Sequence, residues 1–180
     1  MGCVICTPIE TEADLRNFDC GNPSINTLVE ETYYPYIVKQ NKTYKVLFGD
    51  TRVALLSVSI VGVSLENSDA ELAEYYAVTP SFGAVKLNYI AVDKKVQGKK
   101  IGSVSMEYII REARRLYNEW PVRLLILDAI RDKVGWYQKL GFDVLSQAEL
   151  TGTSPTVRMY IDLMPDKEKK SLDAYVSRLC

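Results

Sequence analysis

The sequence predicts a mixed α/β domain, and three observations carry that expectation. Short strand-like runs alternate with stretches of helical periodicity, in the order strand, helix, hairpin, strand, helix, strand, helix, hairpin. A strand-like run ending at Val92 and an apolar run around Leu125 are separated by one long helical segment. A crossover of that kind makes the two strands parallel. The chain has 180 residues, 47% hydrophobic and 25% charged, which is ordinary globular composition for a single domain. A chain of this length buries roughly 70% of its unfolded surface and needs no disulfide or metal staple.

Each element has a local reason. "CVICTPIE" is a β-rich start. In "DCGNPSINTLVEETYYPY" Asn22 can cap a helix and Pro23 suits its first turn. Ile25, Leu28 and Val29 follow at helical spacing, and Pro35 is expected to stop the helix. "TYKVLFGDTRVALLSVSIVGVSL" reads as a hairpin turning at Gly49-Asp50. "ENSDAELAEYYAVTPSFGA" is acidic and reads as a loop with one helical turn, closing at Pro80 and Gly83. "VKLNYIAV" is a strand. "GKKIGSVSMEYIIREARRLYNEW" is the clearest helix, with Ile101, Val104, Tyr108, Ile109, Ala113 and Leu116 as its apolar stripe. Glu107 and Arg111 stand one turn apart, in the favourable order.

"RLLILDA" is apolar without alternation, as in a strand buried on both faces. "KVGWYQKLGF" is a short helix ended by Gly141, and "FDVL" is a strand. "TVRMYIDL" alternates, with Val157, Met159, Ile161 and Leu163 on one face. The domain is expected to span residues 1–165. Residues 166–180 form a helical extension packed on it through Leu172, Tyr175, Val176 and Leu179.

The bulk numbers exclude several classes. A net charge of −1 gives no global attraction to nucleic acid or to an anionic membrane. No apolar run is long enough to span a bilayer. The N-terminus lacks a secretory pattern, and "MGCVIC" has Cys6 where a myristoylation site needs Ser or Thr. Cys3 and Cys6 have C-x-x-C spacing without the second pair of a zinc site. The four cysteines, Cys3, Cys6, Cys20 and Cys180, read as reduced thiols of a cytoplasmic protein. No metal site is expected. There is no histidine, so the commonest general base and metal ligand is missing.

One loop carries chemistry. "AVDKKVQGKKIGS", Ala91 to Ser103, leaves a strand and opens a helix. Such a loop aims free backbone N–H groups outward, and the helix dipole makes them an anion site. Gly98 lets the backbone turn, Gly102 permits close approach to the first helical turn, and Lys94, Lys95, Lys99 and Lys100 add positive charge. On these residues alone, a phosphate cradle and a solvated basic turn are equally good readings. The Walker ending and the full dinucleotide glycine pattern are both missing.

"VQGKKIG" following "LNYIAVD" resembles the acetyl-CoA signature of GNAT N-acetyltransferases, Gln/Arg-x-x-Gly-x-Gly/Ala. Gln97 and Gly102 match it, and Lys100 occupies the first glycine position. "LLILDAIRDKVGWYQKLGFDVL" resembles the second half of the same fold, with Trp136, Tyr137, Gly141 and Phe142 at its aromatic and glycine positions. Together the two blocks cover residues 86–145. The resemblance implies an α/β (α+β) fold with a mixed, mostly antiparallel sheet. A central parallel strand pair would splay to hold acetyl-CoA, with helices on both faces.

It also implies a mechanism. The backbone of Ile90, Ala91 and Val92 would pair with pantetheine. The amides of Gln97, Gly98, Lys99, Lys100, Ile101, Gly102 and Ser103 would hold the pyrophosphate. Asp128, in "LDA", would join the cofactor site. An N–H near Ile90 or Val92 would polarise the thioester carbonyl, a primary amine would attack directly, and Tyr137 would protonate the departing thiolate. Tyr137 is one of 12 tyrosines, so by position alone it reads as packing. The resemblance is what makes it a catalytic candidate. Glu66, Asp69, Glu71 and Glu74 precede the cofactor strand and read first as a solvated acidic loop. No general base is assigned.

"FDCGNPSINTLVEETY", Phe18 to Tyr33, is similar to the N-terminal block of a GNAT branch that includes toxins of toxin–antitoxin pairs. Those toxins acetylate the amino group of aminoacyl-tRNA. Three readings follow: an N-acetyltransferase with an unidentified amine acceptor, a tRNA-acetylating toxin with an antitoxin, and a non-catalytic GNAT-like binding module. The slightly acidic charge weighs against tRNA, since the basic residues cluster at the cofactor loop and its helix. Lys100, a side chain at a glycine position, is the feature behind the third reading. A homodimer is also left open as an assembly.

Overall fold

Strand and helix signals in the sequence become seven strands hydrogen-bonded in the order β1-β2-β3-β4-β5-β7-β6 in the computed structural model, which describes residues 4–66, Leu72 and 80–177. The strands are β1 (Val4–Pro8), β2 (Lys42–Phe48), β3 (Thr51–Ser64), β4 (Ser81–Val92), β5 (Leu124–Ile130), β6 (Asp143–Val144) and β7 (Thr156–Asp162). The helices are α1 (Pro23–Glu31), α2 (Tyr33–Ile37), α3 (Ile101–Glu119), α4 (Val134–Gln138), α5 (Gln147–Thr151) and α6 (Asp166–Val176). β1 with β2, β2 with β3, β5 with β7 and β6 with β7 are antiparallel. The expected parallel pair is present. α3 links β4 to β5, and the Arg123 N–H donates to the Gly83 carbonyl at 2.8 Å, so the starts of the two strands lie side by side. The mixed sheet with helices is the fold class expected from the sequence.

The chain divides into two compact units. Unit 1 is Met1–Ile60 with Lys86–Glu112, and unit 2 is Val61–Val85 with Ala113–Cys180. In unit 1, Ile9, Leu15, Val29, Leu55, Tyr89 and Ala91 form one buried cluster, with Tyr33 and Tyr36 packed against it. Each fully buried aliphatic side chain of this kind contributes about 1.5–3 kcal/mol. Asn22 caps α1 as expected, its Oδ1 accepting from the Ile25 N–H at 3.3 Å, with Pro23 at the first position. Pro35 does not stop a helix. It sits inside α2, where a missing N–H costs nothing because first-turn N–H groups have no intrahelical partner. The Gly49-Asp50 turn is found where the sequence places it, with Gly49 at φ +60°.

The α3 stripe departs from the expected one at Val104. Ile101, Ser105, Met106, Ile109 and Ala113 are buried, and Val104 is exposed. Arg111 lies over the Tyr108 ring and 3.9 Å from Glu112 instead of pairing with Glu107.

In unit 2, Val63, Leu65, Leu72, Ala84, Leu124, Ile126 and Leu145 form the core, with Leu172 of α6 packed on it. Tyr175 does not join it and is more than half exposed. Leu179 lies outside the described residues, as do Asp69, Glu71 and Glu74. Gly83 belongs to β4 and not to a loop. A Cβ there would meet the Pro121 carbonyl oxygen at 2.3 Å, so only glycine lets the two backbones approach. Next to it, Arg123 and Asp162 form a bidentate pair at 3.2 and 2.9 Å with side chains only 9% and 6% exposed. Lys169 of α6 adds a second cation 3.5 Å from Asp162, and the Tyr117 hydroxyl donates to Glu168. These contacts dock α6 on the unit.

Candidate active site

The loop between β4 and α3 is part of unit 1. Ala91 is buried, and Ile90 and Val92 are half-buried. The chain leaves β4 through a turn in which the Val96 N–H donates to the Asp93 carbonyl at 2.9 Å. It then bends twice into the left-handed region, at Gly98 (φ +78°) and at Lys100 (φ +62°). Lys100 is therefore a lysine in a conformation that favours glycine, at the position where the resembling motif has glycine. The Lys100 carbonyl accepts the first helical bond, from the Val104 N–H at 3.1 Å, so Lys100 is the N-cap of α3. Its side chain is exposed. Among the described residues, no N–H from Gly98 to Ser103 has an acceptor outside its own helix. The N–H groups of Ile101, Gly102 and Ser103 lie in the first turn, where no intrahelical acceptor exists. They form the positive end of a helix of 19 residues.

Two side chains of the loop are bonded to the N-terminal block and to the loop's own strand. Gln97 Nε2 donates to the Cys20 carbonyl at 2.8 Å and to the Val92 carbonyl at 3.0 Å. Lys94 Nζ is 2.6 Å from Asp19, and the Lys94 N–H donates to the Asp19 carbonyl at 3.0 Å. The lysine and then Asn26 and the Gly21 N–H hold the Asp19 carboxyl well below the usual carboxylate range. Lys95, Lys99 and Lys100 remain as exposed cations of the loop. The Asp19–Cys20 anchor was not singled out as part of the site from sequence. The signal was present, since both residues lie in the "FDCGNPS" block, but nothing local shows that this block reaches a loop some 75 residues later.

Tyr137 and Asp128 belong to unit 2. Tyr137 lies in α4, 9% exposed. Its ring meets Trp136 at 4.7 Å and Phe142 at 5.7 Å, both edge-on. Gly141, at φ +89°, ends the helical turn, and the Phe142 N–H returns to the Tyr137 carbonyl at 3.2 Å, closing the helix end in the usual glycine-terminated manner. Burial pushes the Tyr137 phenol up to about 12, so the hydroxyl stays protonated at any physiological pH. It makes no hydrogen bond among the described residues. Asp128 is half-buried in β5, opposite Arg158 in the register, and Arg158 Nε donates to it at 2.9 Å. Its carboxylate thus has a protein partner.

The remaining sequence candidates are ordinary in their surroundings. Cys6 is half-buried and burial raises its thiol to about 12, which makes it unreactive. Cys3 and Cys180 lie outside the described residues. Among the described residues, no three His, Cys, Asp or Glu side chains gather as a metal site, and no helix is long and apolar enough to cross a membrane.

Residues 56–144 match the acetyltransferase (GNAT) domain. No curated protein matches the chain. Among solved structures, a tyrosine-to-phenylalanine mutant of KacT shares 19% identity at a TM-score of 0.74, over 94% of this chain and 98% of that one. AtaT complexed with acetyl-methionyl-tRNAfMet shares 15% identity at 0.73, over 97% and 99%. The AtaT mutant toxin bound to the C-terminus of the antitoxin AtaR and acetyl-CoA shares 15% identity at 0.68, over 89% and 94%. These likenesses extend the fold over nearly the whole chain. The matched domain holds both the β4–α3 loop and the Tyr137 helix, so residues 56–144 carry the features of an acetyltransferase (GNAT) domain.

Proposed function

We propose that this chain transfers the acetyl group of acetyl-CoA to a primary amine, with the β4–α3 loop as its pyrophosphate site and Tyr137 as its proton donor. The observation that carries the reading is the run of unbonded N–H groups from Gly98 to Ser103 at the head of α3. Donors held in place at a helix N-terminus suit a pyrophosphate without reorganisation, and Lys95, Lys99 and Lys100 supply charge around them. Acetyl-CoA brings an activated thioester. The backbone of Ile90, Ala91 and Val92 pairs with pantetheine, and an N–H near Ile90 or Val92 donates to the thioester carbonyl as negative charge builds there.

Tyr137 donates to the sulfur. A phenol raised to about 12 is a weaker acid than a free thiol near 8.5. Its contribution is a hydrogen bond that strengthens as the sulfur gains charge, with the proton following as the C–S bond breaks. The amine attacks as the neutral base; the chain has no histidine to take its proton, and no side chain is assigned that role. Acetyl transfer measured by release of free thiol, with a panel of primary amines, tests this. Amine-dependent release above buffer supports it, and none with any amine contradicts it.

A second reading is favoured by two observations: the likeness to AtaT complexed with acetyl-methionyl-tRNAfMet and to the AtaT mutant toxin bound to an antitoxin, and the Phe18–Tyr33 block. In it the acceptor is the amino group of an aminoacyl-tRNA and the partner is an antitoxin. The pairing of Lys94 with Asp19 removes one cation from those available to RNA, so the amine-general reading stands first. Tight, strongly salt-dependent tRNA binding would reverse the order.

A further inference from the structure

The N-terminal block and the cofactor loop share a set of hydrogen bonds that the reaction itself does not explain. Asp19 accepts from Lys94 Nζ at 2.6 Å, from the Gly21 N–H at 2.7 Å and from Asn26 Nδ2 at 2.9 Å. Asn26 in turn accepts from the Cys20 N–H at 3.0 Å and the Cys20 thiol at 3.1 Å. The two carbonyls of this turn are used as well, Asp19 O by the Lys94 N–H and Cys20 O by Gln97 Nε2. Gly21, at φ +79°, has its missing Cβ facing Lys94 Cβ at 3.8 Å. The loop is thus tied at its first residues, Lys94 to Gln97. The N–H groups of the residues that follow, Gly98 to Ser103, have no acceptor outside their own helix among the described residues, and Lys100 among them lies in the left-handed region.

We infer that the Asp19–Asn26 turn is the mould of the pyrophosphate loop: Asp19, Asn26 and Lys94 are positioning residues that fix the Gly98–Ser103 amides before the ligand arrives. Lys94 therefore acts toward Asp19 and not toward phosphate. The inference rests on the cofactor reading above. It adds a second role for the Phe18–Tyr33 block, which holds the loop in shape whatever the acceptor is. The left-handed Lys100 is tolerated because the preceding residues are held from outside. Without the mould, that backbone would relax toward a conformation ordinary for lysine, and the amides would disperse.

The test is a double-mutant cycle read by calorimetric binding of acetyl-CoA. Asp19→Asn and Lys94→Met each raise the dissociation constant about 10-fold through lost pre-organisation. The double variant stays within about twofold of either single one, since both act on one interaction. Turnover by Asp19→Asn at saturating acetyl-CoA stays near the wild-type rate, so the effect is in KM and not in kcat. Circular dichroism at the assay temperature confirms that each variant is folded. Lys94 is 57% exposed, so Lys94→Met keeps the test alive should Asp19→Asn misfold.

Two results overturn the inference. One is unchanged binding by Lys94→Met. The other is an additive cycle in which removing Lys94 also flattens the salt dependence, as a direct phosphate contact requires. If the wild-type protein itself fails to bind acetyl-CoA, the cofactor reading fails first. If the wild type binds and the variants bind equally well, the mould alone fails.

Discussion

The loop before α3 and the turn around Tyr137 are held in opposite ways. The loop is exposed and tied by hydrogen bonds to backbone carbonyls and one carboxylate. The tyrosine is buried and held by aromatic edges, with a glycine-terminated helix end behind it. Exposed hydrogen bonds each contribute little to stability, so binding can be altered in the loop without unfolding the chain. Packing around Tyr137 is part of a core, so changes of shape there reach stability before they reach chemistry.

The largest effect expected is on stability in unit 2. Arg123→Ala leaves Asp162 charged, nearly buried and short of its main partner. The cost is about 3–5 kcal/mol, read as a large drop in melting temperature. A loss under about 1 kcal/mol would show that Lys169 alone satisfies Asp162. Next comes Tyr137→Phe, which keeps the ring and removes the hydroxyl. Turnover should fall by about 100-fold or more, while acetyl-CoA affinity and melting temperature stay close to wild type. Unchanged turnover removes Tyr137 from the mechanism.

The alkaline response is distributed over several buried groups. Burial raises Tyr89 and Tyr137 to about 12 from 10.0, and Cys6 to about 12 from 9.0. Above the unfolded values the unfolded chain has released protons that the folded chain keeps, so stability falls as pH rises. The loss begins near pH 9, grows to about pH 12, and is absent below both values. Urea midpoints measured from pH 8 to 11 check this, and a flat profile contradicts it.

The smallest effect expected is in the loop. Lys100→Gly relieves a left-handed lysine, and part of that gain is offset by the freer unfolded chain. Stability rises by up to about 1 kcal/mol. Acetyl-CoA affinity then reports on the side chain: tighter binding shows that it obstructs the site, and weaker binding shows that it touches phosphate.

How much of this was legible in the sequence depends on the range of the interaction. The crossover, the doubly buried β5 and the Gly49-Asp50 hairpin follow from local pattern, and the structure has all three. Pro35 inside α2 was missed because a proline reads alike as a stop and as a first-turn residue unless the preceding helix end is known. Val104 was misplaced because the stripe is set by what α3 packs against, which periodicity leaves a residue or so uncertain. In the candidate site, the helix-start loop was visible as glycines and lysines. Two facts about it were not. Gln97 and Lys94 bond to a block some 75 residues earlier, and Asp128 faces Arg158 across β5 and β7. Both are long-range pairings with no local trace, and they decide which side chains are left for a ligand.

Titration of the wild-type protein with acetyl-CoA is the direct test of the Gly98–Ser103 amides as the proposed pyrophosphate site. Saturable binding with one site per chain is predicted, competed by coenzyme A, whose pyrophosphate is the same. No binding at millimolar acetyl-CoA would contradict the account.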